Sequence, residues 1–440
     1  MNLKTGSLTR CLADHGGLNL KTNTAAPSRF RGIAWKSFLL VMGPGMIVML
    51  ADSDVGSVIT AAQCGAEWGY KLLLVQFILM PILYMVQELT VRLGIFTGKG
   101  HGELIRETFG PIWAWISLTG LTISAAGGLL TEFSGLAGVS VLFGIPRIVG
   151  VLLGAVFLLV VVYTGSYRRV ERIALFVGLF ELVFFGIAII SHPNLHTILV
   201  SLGQIPLTNS SYLFLISASI GAVIMPFMIF YQQSAVTDKG LGPDSYRHAR
   251  LDTAIGAVVT QGIMAAVLIA TAATIGRVHP DASLNTVGQL SQALTPFLGH
   301  QLGRDIFAIG MIGAGAVAAM VEALGFAWGF GEVTGVKHSL EHHVMEAPWF
   351  YGVFTCIVIV AAGVVILVHN LISLDIVVEV VNAFLLPLVL GLLVGLAIKS
   401  LPLEHRLRGW YKWVVIFTVI LTAGLGVYGG LTVIPGFPTF

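Results

Sequence analysis

Charged residues are scarce in this 440-residue chain, where Asp, Glu, Lys and Arg together make up 10% of the sequence. Soluble domains average roughly 25%. Only three cysteines occur, Cys11, Cys64 and Cys356, far apart and without a CxxC pair, so the sequence predicts neither a zinc site nor a disulfide framework. No Walker motif, Rossmann fingerprint or catalytic triad stands in a suitable context. These absences argue against an enzyme, a bound cofactor and a nucleic-acid partner.

Long apolar runs dominate instead, and hydrophobic residues reach 56% of the chain. Eleven runs are long enough to cross a bilayer as helices, which needs about 20 residues. The sequence therefore predicts an all-α polytopic membrane protein with the lipid bilayer as its surroundings. The eleven predicted spans are residues 38–62, 70–95, 112–142, 147–165, 172–191, 211–235, 252–275, 305–330, 350–369, 374–398 and 410–432.

The distribution of basic residues predicts an orientation. Residues 1–37 are polar and lack the apolar core of a signal peptide, so we interpret them as a disordered cytoplasmic tail. This tail and every second loop hold 20 of the 24 Lys and Arg residues. The positive-inside rule then places the N-terminus in the cytoplasm and the C-terminus outside the cell. We predict that the protein lies in the inner (plasma) membrane.

The first span contains an acidic interruption, Ala51-Asp52-Ser53-Asp54-Val55-Gly56-Ser57. An aspartate at bilayer depth costs roughly 2.5–3.5 kcal/mol on insertion scales, which marks it as a candidate functional residue. In an intact helix, residues two apart point about 200° away from each other. Asp52 and Asp54 therefore share one ligand only if the helix unwinds, and we expect Gly56 to permit this.

The sixth span is interrupted by Gly221-Ala222-Val223-Ile224-Met225-Pro226. Proline has no N–H, so the carbonyl of Ala222 is left free to face a ligand. We expect Met225 to lie one helical turn from Ala222, on the same face. Interruptions in the first and sixth spans are typical of inverted-repeat transporters.

This pattern predicts a 5+5 helix transporter domain over residues 38–432. Its first repeat is residues 38–191 and its second repeat is residues 211–398, with broken helices one and six. The eleventh helix, residues 410–432, would be an extra, peripheral span.

Two motifs resemble one known family closely. Gly43-Pro44-Gly45 precedes the first interruption, and Arg92-Leu93-Gly94-Ile95-Phe96-Thr97-Gly98-Lys99 is followed by Glu103-Leu104-Ile105-Arg106-Glu107. On these motifs the chain, from Gly43 to about Ser400, resembles the Nramp family of divalent-metal transporters. The resemblance implies four metal ligands: the Asp54 carboxylate, the Ser57 hydroxyl where the family has asparagine, the Ala222 carbonyl and the Met225 sulfur. An alternative for Ser57 is a capping role at the second half-helix.

The chain also departs from the family pattern. Val55 stands where the family has proline, and Phe227 where it has histidine. The family's second helix-six histidine falls on Gln232 or Gln233, and the acidic motif of helix three keeps only Glu132. Because these groups handle protons in the family, the departures predict weak or absent proton coupling. They are similar to those of the Nramp-related magnesium transporters.

Further carboxylates stand at membrane depth. Glu379 falls on a glutamine that helps to hold the ion in the family, and it is either a ligand or a satisfied intramembrane carboxylate. Asp52 either enlarges the negative site or lies in an external vestibule that attracts cations. Glu132, Glu181 and Glu322 are interpreted as members of polar packing networks.

The predicted function is uptake of a divalent metal ion, with Mn²⁺ or Fe²⁺ as the first choice. Oxygen ligands suit Mg²⁺, Mn²⁺ and Fe²⁺, whereas a thioether favours softer transition metals. Mg²⁺ uptake is one alternative. A sodium-coupled amino-acid or organic-cation carrier of the same architecture is another. The sequence predicts no oligomeric state.

Overall fold

The computed structural model describes residues 41–275, 284, 287–295, 298–368 and 372–432. The predicted tail and the first residues of the first predicted span, 38–40, lie outside these ranges. Within them, all regular secondary structure is helical.

Nine α-helices form the described chain up to residue 201, with 3₁₀ turns at Gly69–Leu72 and Leu179–Leu182. They are α1 (Pro44–Asp52), α2 (Val55–Trp68), α3 (Leu73–Thr97), α4 (His101–Phe109), α5 (Pro111–Leu142), α6 (Arg147–Val162), α7 (Tyr167–Gly178), α8 (Val183–Ile190) and α9 (Leu195–Ser201).

Eight further α-helices lie in the described ranges after residue 209, with a 3₁₀ turn at Pro243–Ser245. They are α10 (Ser210–Val223), α11 (Pro226–Asp238), α12 (Tyr246–Ala273), α13 (Val287–Leu294), α14 (His300–Thr334), α15 (Pro348–Leu367), α16 (Ile372–Lys399) and α17 (Gly409–Leu431).

The helices confirm the predicted spans. In the described part of the chain, nine helical stretches are long and apolar enough to cross a membrane. One of them, Val55–Thr97, holds both α2 and α3, which meet at the Gly69–Leu72 turn. The shorter apolar helix Arg147–Val162 matches the fourth predicted span, and α1 supplies the first half of the first.

Both predicted interruptions are present. In the first span, α1 ends at Asp52 and α2 begins at Val55. In the sixth, α10 ends at Val223 and α11 begins at Pro226. Proline suits this first helical position because its missing N–H would have no helical partner there.

The first span unwinds between Asp52 and Asp54 as expected, but the expectation that Gly56 permits this is wrong. Gly56 is the second residue of α2, and the interruption falls at Ser53 and Asp54, where Asp54 has an extended backbone. The carboxylate of Asp54 accepts a hydrogen bond from the backbone N–H of Ser57 at 2.6 Å. Asp54 is therefore the N-cap of α2, a position that favours aspartate.

Close helix contacts hold the interrupted spans against α16. A side chain on Gly221, in α10, would overlap the backbone carbonyl of Glu379 in α16. Two backbones pack this closely only where one residue is glycine. This contact brings the sixth span and the tenth to one point in the protein interior.

Candidate metal site at the two helix interruptions

The Ser57 hydroxyl joins the two interruptions. It donates a hydrogen bond to the backbone carbonyl of Ala222 across 3.1 Å, and both residues are buried. Ser57 lies in the first turn of α2, and Ala222 in the last turn of α10. Three predicted ligands, Asp54, Ser57 and Ala222, are thus linked by two hydrogen bonds. Ser57 is not the N-cap of α2, because Asp54 holds that position.

Met225 lies in the second interruption rather than on a helix. Its backbone is extended, with φ −106° and ψ 142°, and it is the N-cap residue of α11. The expectation of a shared helical face with Ala222 is therefore wrong, since α10 ends before Met225. The side chain is 1% exposed, so its thioether stays inside the protein.

Glu379 approaches the first interruption from α16. Its carboxylate lies where a side chain on Gly56 would be, so that even a methyl group there would overlap it. The other carboxylate oxygen accepts a hydrogen bond from the Asn382 amide at 3.2 Å. Gly56 therefore admits Glu379 to the site, which is a packing role that the sequence did not reveal.

Asp52 is the last residue of α1 and is 1% exposed. Its Oδ2 accepts hydrogen bonds from the Thr260 hydroxyl at 3.2 Å and the Gln261 amide at 3.3 Å. Its Oδ1 is buried and has no partner among the described residues. A helix C-terminus disfavours a negative charge, so Asp52 stands where a cation would be stabilising.

Two further glutamates meet Asp54, and sequence reasoning did not place them in the site. Oxygen atoms of Asp54, Glu132 and Glu322 all lie within 4.8 Å of one another. Both oxygens of Glu132 lie 3.3 Å from the backbone N–H of Val55, the first residue of α2. Acidic residues at membrane depth were the available signal, but their convergence depends on how α5 and α14 pack.

The site is rich in buried carboxyl groups. Asp54 and the six carboxyl groups that interact with it electrostatically are each at most 1% exposed: Asp52, Asp54, Glu132, Glu181, Glu322, Asp375 and Glu379. None of them takes part in an ion pair within the described ranges. Buried carboxylates without basic partners attract cations, because charge is poorly solvated in the interior.

The positions of the family's helix-six histidines are occupied by groups that are fixed in place. Phe227 is fully buried. Gln232 accepts a hydrogen bond from Thr90 at 2.5 Å and donates one to Thr253 at 3.0 Å. Gln233 donates to the carbonyl of Lys99 at 2.9 Å. These amides link α11 to α3, to α12 and to the segment before α4.

A histidine that sequence reasoning overlooked contacts Gln233. His101 Nδ1 lies 2.9 Å from Gln233 Oε1, and because the amide nitrogen of Gln233 donates to Lys99, the ring nitrogen is the donor. Burial lowers the pKa of His101 to about 4. His101 is therefore neutral near pH 7 and does not replace the missing histidines as a proton carrier.

Solved structures share this fold. The crystal structure of the Eremococcus coleocola manganese transporter, in complex with an aromatic bis-isothiourea substituted compound, matches with a TM-score of 0.73. The match covers 96% of this chain and 93% of that one, at 20% sequence identity. This likeness confirms the inverted-repeat transporter fold that was predicted from the two interruptions.

Sequence comparisons give the family. The divalent metal cation transporter MntH of Klebsiella pneumoniae subsp. pneumoniae is 30% identical over 298 residues, which are 66% of this chain and 71% of that protein. MntH of Bradyrhizobium diazoefficiens is 28% identical over 311 residues, 67% of this chain and 68% of that protein. The natural resistance-associated macrophage protein-like (Nramp) family model matches residues 45–432, and the chain therefore belongs to the Nramp family.

Proposed function

We propose that this protein takes up divalent metal ions across the inner (plasma) membrane and binds each ion between the interruptions of its first and sixth spans. The observation that carries this proposal is the hydrogen bond from the Ser57 hydroxyl to the Ala222 carbonyl, 3.1 Å long. It brings both interruptions to one point, and the Asp54 carboxylate lies at that point.

The proposed ligands are the Asp54 carboxylate, the Ser57 hydroxyl oxygen, the Ala222 carbonyl and the Met225 sulfur. A hydroxyl that donates its proton keeps lone pairs for a cation, so the Ser57 contact with Ala222 is compatible with binding. Glu379 and Asp52 flank this set and add negative charge. The C-terminal ends of α1 and α10 also favour a cation, because helix carbonyls carry partial negative charge.

Mn²⁺ and Fe²⁺ are the proposed physiological ions, and Mg²⁺ is the alternative. The family relatives named above are divalent metal cation transporters, and the structural relative is a manganese transporter. Among these ions the thioether favours the softer Fe²⁺ over Mg²⁺, and the oxygen donors suit Mn²⁺. The many carboxylates suit all three ions.

The sodium-coupled amino-acid carrier is less well supported. Such a carrier binds its substrate carboxylate at an open helix N-terminus. Here the N-terminus of α2 already holds the carboxylates of Asp54 and Glu132, which accept bonds from Ser57 and Val55. A second anion at this place would be repelled.

Transport measurements test the proposal. Purified protein in proteoliposomes is given Mn²⁺, Fe²⁺, Cd²⁺, Mg²⁺ or Ca²⁺ outside, and internal metal is followed with time. We expect saturable Mn²⁺ uptake by the wild type and background uptake by Asp54→Ala. Asp244→Ala, at an exposed residue outside the site, is the control and should behave as wild type. Wild-type uptake by folded Asp54→Ala would refute the proposed site.

A further inference from the structure

Three carboxylates from three helices converge beside the interrupted spans. Asp54 caps α2, and Glu132 and Glu322 lie in the C-terminal halves of α5 and α14. We call this set the carboxylate triad; its oxygen atoms lie within 4.8 Å of one another. Each member is at most 1% exposed.

Glu322 differs from the other two members of the triad in its hydrogen bonds. Asp54 accepts a bond from Ser57, and Glu132 accepts one from Val55. Neither oxygen of Glu322 has a hydrogen-bond partner in the described part of the chain. Burying a carboxylate without a partner is costly, and two neighbouring carboxylates increase the cost. A cation between the three groups removes the penalty.

Glycines make room for the triad. A side chain on Gly128, one turn before Glu132 in α5, would overlap the carboxylate of Glu322. A side chain on Gly315 in α14 would lie 3.4 Å from Glu132 Oε2. The packing of α5 against α14 therefore leaves space for both glutamates to turn inward.

The spacing suits one metal ion. Oxygen ligands at about 2.1 Å from a six-coordinate ion are about 3 to 4.2 Å apart. The oxygen atoms of the triad lie within 4.8 Å of one another, which is compatible with this spacing. No sulfur or nitrogen belongs to the triad, which matches the preference of hard divalent cations for oxygen.

We infer that the carboxylate triad is an all-oxygen cation subsite in which Glu322 is a ligand. The subsite shares Asp54 with the ligand set that contains Met225. A hard ion such as Mn²⁺ or Mg²⁺ therefore sits nearer the triad, and a soft ion such as Cd²⁺ sits nearer the sulfur. The inference rests on the proposed function, since it assigns ligands within the same transport site.

Binding to the purified full-length protein tests the subsite. Affinities for Mn²⁺ and Cd²⁺ are measured by calorimetry for wild type and Glu322→Gln. Changes outside the ligand shell of a metal site cost 10- to 100-fold in affinity, so loss of a ligand should weaken Mn²⁺ binding at least about tenfold. Cd²⁺ binding should weaken less than about threefold, because the thioether holds a soft ion.

Glu332→Gln is the matched control. Glu332 is 1% exposed and lies in the same helix as Glu322, but it is about three turns away and accepts hydrogen bonds from Gly102 and Ser234 outside the site, so the same chemical change there should alter both affinities less than about threefold. Thermal unfolding supplies a second readout. Glu322→Gln keeps the size of the side chain, so the unfolding temperature of the metal-free protein should change little, while the rise in unfolding temperature that Mn²⁺ produces should shrink. A residue with only a packing role would leave the Mn²⁺-induced rise unchanged.

The outcomes separate the inference from the proposed function. Unchanged Mn²⁺ affinity in folded Glu322→Gln, or equal weakening of Mn²⁺ and Cd²⁺ binding, overturns the subsite and leaves metal transport standing. Failure of the wild type to bind any divalent ion overturns the proposed function itself. If Glu322→Gln does not fold, Gly128→Ala keeps the charge but displaces the Glu322 carboxylate, and the same selective loss is expected.

Discussion

The carboxylate of Glu379 lies so close to Gly56 that a methyl group on residue 56 would overlap it. Gly56 is helical, and its φ angle needs no glycine. The reason for glycine at this position is therefore the approach of α16, which delivers Glu379 to the interruption of the first span.

Gly56→Ala adds a methyl group that displaces Glu379, and overpacking of this kind typically lowers the free energy of unfolding by about 1–3 kcal/mol. Because Glu379 then leaves the site, Mn²⁺ uptake should fall at least about tenfold. Uptake into proteoliposomes measures the effect. Gly186→Ala is the control: Gly186 is helical, exposed on α8 and has no atom within 4 Å of an added Cβ. That change should alter stability by no more than about 1 kcal/mol. Wild-type uptake by Gly56→Ala would show that Glu379 is not a ligand.

The helix interruptions were predictable because each violates the pattern of its own span. Asp54 places a charge in an apolar run, and Pro226 removes a backbone donor from another. Both signals are local, and the structure has both breaks. The exact capping residue was not predictable, since Asp54, Ser57 and Gly56 all suit a helix end when only the sequence is considered.

The carboxylate triad was not predictable for a different reason. Glu132 and Glu322 are 190 positions apart, and their meeting depends on which faces of α5 and α14 pack together. Gly128 looks like an ordinary small residue until the side chain that occupies its space is known. Contacts of this kind leave no periodic signal in either helix.

Met225→Ala should weaken Cd²⁺ binding first and leave Mg²⁺ competition unchanged or stronger, because a thioether discriminates soft from hard ions and oxygen donors do not. Calorimetry with each ion measures the two affinities separately. Met311→Ala is the control, since Met311 is fully buried in α14 but lies about three helical turns before Glu322. Parallel changes of both affinities in Met225→Ala would mean that Met225 only packs.

His101 should make the stability of the protein depend on pH. Burial lowers its pKa to about 4, whereas an unfolded histidine titrates near 6.5. Between these values the unfolded chain binds more protons, so stability falls as the pH is lowered from about 6.5 to 4. The loss amounts to about 3 kcal/mol at most.

Thermal unfolding from pH 7 to 4.5 measures this dependence. The unfolding temperature of the wild type should fall more steeply than that of His101→Gln. His196→Gln, at an exposed histidine, should follow the wild type. Equal slopes for wild type and His101→Gln would show that His101 is protonated in the folded protein as readily as in the unfolded chain.

Metal entry should proceed without stoichiometric proton co-transport. Histidine is the side chain whose ordinary pKa lies nearest physiological pH. Phe227 is buried at one of the family's helix-six histidine positions, and Gln232 and Gln233 are held by hydrogen bonds at the other. His101, which contacts Gln233, is neutral near pH 7. The described part of the chain therefore has no histidine in this region that is ready to accept a proton.

Carboxylates remain as possible proton carriers, but a divalent cation beside them favours their ionised form. The membrane potential contributes about 2.3 kcal/mol per charge per 100 mV, which draws a divalent cation inward without protons. Internal pH in proteoliposomes under an external Mn²⁺ load measures coupling, and we expect it to stay constant while Mn²⁺ enters. Acidification that follows the Mn²⁺ dose and disappears in Glu132→Gln or Glu379→Gln would show instead that these carboxylates carry protons with the metal.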